Sequence, residues 1–127
     1  MGDYIPLDKL EVSQLARELS RLAWGIFENL NWEYKKLMGF QFIESVDSVG
    51  ANIAESYGRY HYLDRIRFLH YSRGSLMECN DHWLELFFER NIIDKKEFDD
   101  FKRVSSKLSL KLNNYINAIL KSKKELK

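Results

Sequence analysis

Four apolar stripes recur along this chain at the spacing of one face of an α-helix, and that period excludes most other ways of folding it. Leu15, Leu19, Leu22, Ile26 and Leu30 are spaced 4-3-4-4, and so are Phe42, Val46, Val49, Ile53 and Tyr57. Leu69, Ser72, Leu76, Cys79, Trp83 and Leu86 form the third stripe; Phe98, Phe101, Ser105, Leu108, Leu112, Tyr115 and Ile119 form the fourth. Residues three and four apart share one side of a helix, whereas a half-buried strand needs alternation with period two, which no stretch sustains here. Short connections make consecutive helices antiparallel neighbours. The expectation is an all-α, antiparallel up-down-up-down four-helix bundle in a single domain over residues 1–127, with helices at roughly 8–30, 36–57, 61–89 and 94–122.

The helix ends carry their own signals. Asp8 with Glu11 reads as a capping box opening the first helix just after Pro6, and Gly58 is placed to end the second in a left-handed conformation. Asp94 with Glu97 is a second capping box, with Ile93 positioned to staple onto Phe98. The third helix is apolar on too many sides. Leu84, Phe87 and Phe88 stand beside its stripe, so the period predicts a second partner for that surface.

Composition narrows the class. At 127 residues with 45% hydrophobic content the chain can bury a core, and one cysteine with one proline excludes a disulfide scaffold. Cys79 reads as a small core residue in a reducing cytosol. Met1–Leu7 has no basic region and nowhere do about 18 apolar residues run together, so a signal peptide and a membrane span are not expected.

Net charge is only +1, but its distribution is uneven: −4 over residues 1–58, +3 over 59–73, −3 over 74–93 and +5 over 94–127. Lys102, Arg103, Lys107, Lys111, Lys121, Lys123 and Lys124 follow one another without an intervening acid. Such a run favours an anionic partner or serves as a solvated face near a helix C-terminus.

The stretch Ser48–Arg59 is a helix built from poor formers. Glycine costs roughly 1 kcal/mol against alanine, yet Gly50, Ala54 and Gly58 recur at four-residue spacing. That ridge reads as a seam allowing close approach of the third helix, whose Gly74-Ser75 mirrors it, with Asn52, Ser48, Ser72 or Ser75 satisfying one another.

The same stretch, Ser48-Val49-x-Ala51-Asn52-Ile53-Ala54-Glu55-x-x-Gly58-Arg59, followed by Phe68-Leu69 and Arg73-Gly74-Ser75-Leu76-x-Glu78, resembles the signature of the bacterial four-helix-bundle proteins encoded in 23S ribosomal RNA intervening sequences. The resemblance covers nearly the whole chain. It implies a small non-enzymatic bundle that assembles into a homopentameric ring and has a role in binding nucleic acid. More remotely the chain looks like the accessory proteins of diversity-generating retroelements, which share the bundle and pentamer and partner a reverse transcriptase. Ser56 stands where the family usually has glycine, and Glu44 and Ser45 where it usually has bases, which removes basic residues from that surface of the second helix.

Three constellations bear on function. Arg59, Arg65, Arg67 and Arg73 interleave with Tyr57, Tyr60, Tyr62, Phe68 and Tyr71, a mixture suited to phosphates and unpaired bases of RNA or DNA. A solvated turn with core aromatics, Arg59 pairing with Glu55, accounts for the same residues. Arg103, Lys107 and Lys111 at i, i+4 and i+8 form a ridge able to track a phosphate backbone, or a charged solvent face. Glu78, Cys79 and His82 lie within about one turn, but a di-iron bundle needs paired Glu-x-x-His motifs that are missing. No metal, cofactor or enzymatic activity is expected. The expected partners are further copies of the chain and nucleic acid. The rival reading is an assembly module for another protein, such as a polymerase, without direct nucleic-acid contact.

Overall fold

In the computed structural model, residues 5–125 are described, with side chains as far as residue 122. The opening Met1–Tyr4 lies outside the described residues, and Lys123 and Lys124 outside the described side chains. A 3-10 turn at Leu7–Lys9 leads into α1 (Glu11–Glu28), followed by α2 (Trp32–Tyr34), α3 (Phe40–Tyr57), α4 (Tyr62–Met77), α5 (Leu84–Glu89) and α6 (Lys95–Glu125). Turns of π-helix at Lys35–Gly39 and Glu78–Trp83 join α2 to α3 and α4 to α5 without a break, so the helices form four rods. There is no strand among the described residues. No helix among them is long and apolar enough to cross a membrane.

Contact pairs give the directions. Between α3 and α4, Val49 meets Ser72 and Ser56 meets Arg65; against α6, Arg65 meets Tyr115 and Asn80 meets Ser105. Numbers rise on one rod as they fall on the next, which is antiparallel packing. Both α1 and α4 pack on α3 and α6, so α1 and α4 stand at opposite corners of a square section. Phe42, Phe87 and Phe101 meet at the centre, with Phe42 edge-on to Phe87 at 4.8 Å and 5.7 Å from Phe101, the edge-to-face geometry that ring quadrupoles favour.

The α3–α4 seam is made by serines. Ser72 Oγ donates to Val49 O at 2.8 Å and Ser56 Oγ to Arg65 O at 2.9 Å, and both serines are fully buried. Each satisfies its hydroxyl on a neighbouring backbone, and a hydroxyl is short enough to let the rods close. Ser56, a departure from the family pattern, is thus a cross-link. The glycine ridge lies elsewhere. A Cβ on Gly50 would sit 3.5 Å from Ala16 Cβ in α1, and Ala51 and Ala54 line an open groove of about 410 Å³ shared with Ser13, Ala16 and Ser20. The ridge faces α1, not α4.

Several ends differ from their signals. Leu10 occupies the first N-cap with no side-chain bond, because Pro6 and Asp8 are taken up in the 3-10 turn and Asp8 O accepts from Gln14 Nε2 at 3.2 Å. The second rod begins at Trp32, capped by Asn31, whose Oδ1 accepts from Tyr34 N at 2.8 Å. Gly58 is right-handed at φ −81°. The left-handed cap is Asn91 (φ 57°) after α5, where Asn91 N donates to Phe88 O and Ile92 N to Phe87 O, the pair of bonds that closes a helix C-terminus. The Asp94–Glu97 box forms reciprocally at 2.8 and 3.1 Å.

The third rod carries the main correction. A regular helix running on from Cys79 would turn Trp83 and Leu86 inward. The π turn at Glu78–Trp83 inserts one extra residue, so Leu84 and Phe87 take the core positions and are fully buried, while Trp83 and Leu86 are half-buried. Leu84 and Phe87 are therefore not available to a partner. Of the three proposed interface residues only Phe88 reaches the surface, 38% exposed and stacked on Phe98 at 4.3 Å.

Cys79 sits at this shift, its Sγ bonded to Leu76 O at 3.3 Å, and burial pushes its thiol from 9.0 up to about 12. Two outcomes follow from the packing. Leu84→Ala costs about 2–5 kcal/mol of unfolding free energy, as for any large-to-small change in a full core, and Phe88→Ala distinctly less; chemical denaturation reads both. Because the folded-state value is raised, the Cys79 contribution to stability is complete below pH 9.0 and is lost as pH climbs towards about 12. Melting temperature across that window falls less in Cys79→Ala than in the unaltered chain.

Candidate nucleic-acid interface

The turn after α3 and the first half of α4 gather two arginines around one ring. The Arg59 guanidinium lies 4.7 Å and that of Arg67 5.1 Å from the centre of Phe68. Arg59 also bridges Glu55 at 3.3 Å and Arg67 bridges Asp64 at 3.3 Å. Both ion pairs are exposed, so each holds its guanidinium only weakly and a phosphate can compete for it. Phe68 in turn meets Tyr71 edge-on at 5.6 Å, and Tyr60 stands 93% exposed at the turn. Local spacing produces this group: Asp64, Arg67, Phe68 and Tyr71 are three and four apart on α4.

The other two arginines of the segment point into the bundle. Arg65 Nη2 donates to Tyr115 OH at 3.3 Å, and its Nε is enclosed without a partner. Arg73 Nη1 donates to Asn113 Oδ1 at 3.1 Å, and its Nη2 lies 3.1 Å from His70 Nδ1. A guanidinium has donors only, so His70 Nδ1 accepts there. These two fasten α4 to α6.

On α6 the proposed ridge divides as well. Arg103 and Lys107 are exposed and make no ion pair among the described residues, whereas Lys111 turns towards α1 and reaches Glu11 at 3.4 Å. The 100° advance per residue explains this: eight residues carry Lys111 far enough round the helix to leave the outer face. Beyond Lys107 that face continues through Asn114 and Asn117 to Lys121, all exposed, with no carboxylate between Arg103 and Lys121. Lys102 is engaged elsewhere, with Glu85 at 2.6 Å and Asn80 O at 3.0 Å.

The structure also displays a patch that the stripes did not point to. Trp24 stacks on Phe27 at 5.3 Å, Phe27 meets Phe40 at 5.8 Å, and Phe40 meets Trp32 at 6.0 Å. Trp24, Trp32, Leu37 and Phe40 are 45–64% exposed, and Lys35 and Lys36 lie over the rings of Phe27 and Trp32. The signal in the sequence is the density of large apolar residues over 24–40, around the weakly specified connection that Asn29, Asn31 and Gly39 bracket.

The Glu78, Cys79 and His82 constellation does not converge. Glu78 accepts from Trp83 Nε1 at 2.9 Å, Cys79 is enclosed as a thiol, and His82 packs edge-on to the Trp83 ring at 4.5 Å. Among the described residues no three His, Cys, Asp or Glu side chains are placed to hold a metal ion.

Comparison with known proteins agrees with this architecture. A crystal structure of a protein with unknown function from the S23 ribosomal protein family of Bacteroides thetaiotaomicron superposes with a TM-score of 0.76 at 23% identity, over 83% of this chain and 97% of that one. No curated protein matches the chain. Residues 8–114 match the family described as 23S rRNA-intervening sequence protein, and that span takes in α1, both joined rods and most of α6. The chain belongs to the 23S rRNA-intervening sequence protein family.

Proposed function

We propose that this protein is a cytoplasmic, non-enzymatic bundle that self-associates into a closed ring, a pentamer as the resemblance implies, and binds RNA through its basic outer surface. The observation that carries the nucleic-acid reading is the outer face of α6. Arg103, Lys107 and Lys121 are exposed there with Asn114 and Asn117 between them, and no carboxylate follows Arg103 along the helix as far as Lys121. Lysine and arginine neutralise phosphates, and amide side chains hydrogen-bond to phosphate oxygens, sugars or bases. The Arg59–Phe68–Arg67 group adds an aromatic ring flanked by two cations, the combination that receives unpaired bases.

Self-association draws on the exposed aromatic patch at Trp24, Trp32, Leu37 and Phe40, since contiguous apolar surface of this kind marks an interaction site. The same patch favours the rival reading, in which another protein such as a polymerase docks there and the bases serve only solubility.

A salt titration separates the two readings. RNA binding through several bases gives log K falling linearly with log salt, each phosphate contact to a single strand contributing about 0.7 to the slope. Arg103→Glu combined with Lys107→Glu is expected to weaken retention of single-stranded RNA and flatten that slope by about 1.4, two contacts' worth. Unchanged retention removes the α6 face from the function, and absence of retention at low salt leaves the protein-docking reading.

A further inference from the structure

Between two of the places where the third rod is tied to α6 lies a polar cleft of about 260 Å³. Arg73 closes one end through Asn113, and Asn80 closes the other, its Oδ1 accepting from Ser105 Oγ at 2.7 Å. In the interval α6 contributes Ser106 and Ser109, whose side chains are too short to reach across, with Leu76 and Met77 opposite. Asn80 and Asp81 belong to the π turn, a local widening of the kind that recurs at functional sites.

The polar groups of this cleft are left partly unused. Arg73 spends two of its five donors on an amide and an imidazole, so no carboxylate neutralises it. Asp81 accepts from Asn80 Nδ2 at 2.8 Å and pairs with no cation among the described residues. The hydroxyls of Ser106 and Ser109 make no hydrogen bond among them either. Eight residues, about 12 Å of helix rise, separate Arg73 from Asp81. That is too far for the two charges to pair, and it is the reach of one nucleotide from its phosphate to the outer edge of its base. Met77, 58% exposed, supplies an apolar wall between them.

We infer that this cleft receives one unpaired guanine nucleotide of a single-stranded RNA. The inference rests on the RNA-binding reading above and names the base selected. Guanine carries N1–H and its N2 amino group side by side, and a carboxylate, which only accepts, takes both at once. Adenine and cytosine each set one donor next to an acceptor, and uracil sets one donor between two acceptors, so none of them matches Asp81. The remaining Arg73 donors take the phosphate, Ser106 and Ser109 take sugar and phosphate oxygens, and the Met77 thioether lies against the ring. The cleft adjoins the basic face of α6. Ser106 lies one turn after Arg103 and immediately before Lys107, so a strand held by those two cations can turn a base inward there.

The test uses fluorescence anisotropy on the full chain at low salt, with labelled uridine oligonucleotides that differ only in one central residue. A central guanine is expected to bind about tenfold tighter than a central adenine, cytosine or uracil, the lower part of what one bidentate base contact discriminates. Inosine in its place, which lacks the N2 amino group, is expected to lose most of that gain. Asp81→Ala, with unchanged helix content by circular dichroism, is expected to abolish the preference and leave the all-uridine oligonucleotide bound as before. Arg103→Glu with Lys107→Glu is expected to weaken every oligonucleotide alike. Equal affinity for all four central residues, or a guanine preference that survives Asp81→Ala, overturns the pocket while the RNA-binding reading stands. If no oligonucleotide is retained, the RNA-binding reading fails and takes this inference with it.

Discussion

Two serine hydroxyls bonded across to backbone carbonyls, Ser72 to Val49 and Ser56 to Arg65, hold α3 against α4, and the other rods are placed by that pairing. A buried hydroxyl left without a partner costs about 1–3 kcal/mol, so sliding either rod along the other is penalised at both ends of the seam at once. With α3 fixed, α1 lies down along its other side, where Gly50 approaches Ala16 and Gly39 fits beneath Leu30 and Phe27. The remaining gap, lined by Phe42 and Phe87, is closed by Phe101 of α6. The seam supplies register; the aromatic node fills the centre of the core.

Much of this was legible because helical period reports on one face at a time. The fourth stripe lies on the core side of α6, and the Asp94–Glu97 box forms at its start, because α6 is a single uninterrupted helix whose phase never changes. The third stripe held only as far as Cys79. One extra residue in a π turn leaves no mark on composition, yet it rotates everything after it by about 100°, and the surplus of apolar residues at Leu84 and Phe87 was its trace. What looked like a surface in need of a partner was a core seen in the wrong phase. The glycine ridge at Gly50 and Ala54 misled in another way: small residues announce that something comes close without saying which neighbour, and the neighbour is α1.

The candidate site was legible only as a list of bases. Four arginines within fifteen residues look alike in sequence, but two of them spend their donors on Tyr115 and Asn113 and two gather round Phe68. Arg59 lies in the turn before α4; what separates the other three is the direction each leaves α4, fixed by which side of that helix α6 covers. The aromatic patch over 24–40 is not legible in the stripes because its residues belong to none: Trp24 and Phe27 lie beside the stripe of α1, and Trp32, Leu37 and Phe40 where the helical period breaks at a turn and a π turn. Surfaces used by partners are under no obligation to share the period of the core.

The protomer therefore divides into an interior whose small residues are explained by their neighbours and an exterior where the patch of Trp24, Trp32, Leu37 and Phe40 is not. A solved relative of the same fold is described as having unknown function, so the outer surface is where an account of this family has to be made. The central claim is that these outer features exist for contact between copies. Light scattering of the unaltered chain at micromolar concentration tests it most directly: the account predicts a discrete mass of several protomers, and a single-protomer mass would contradict it.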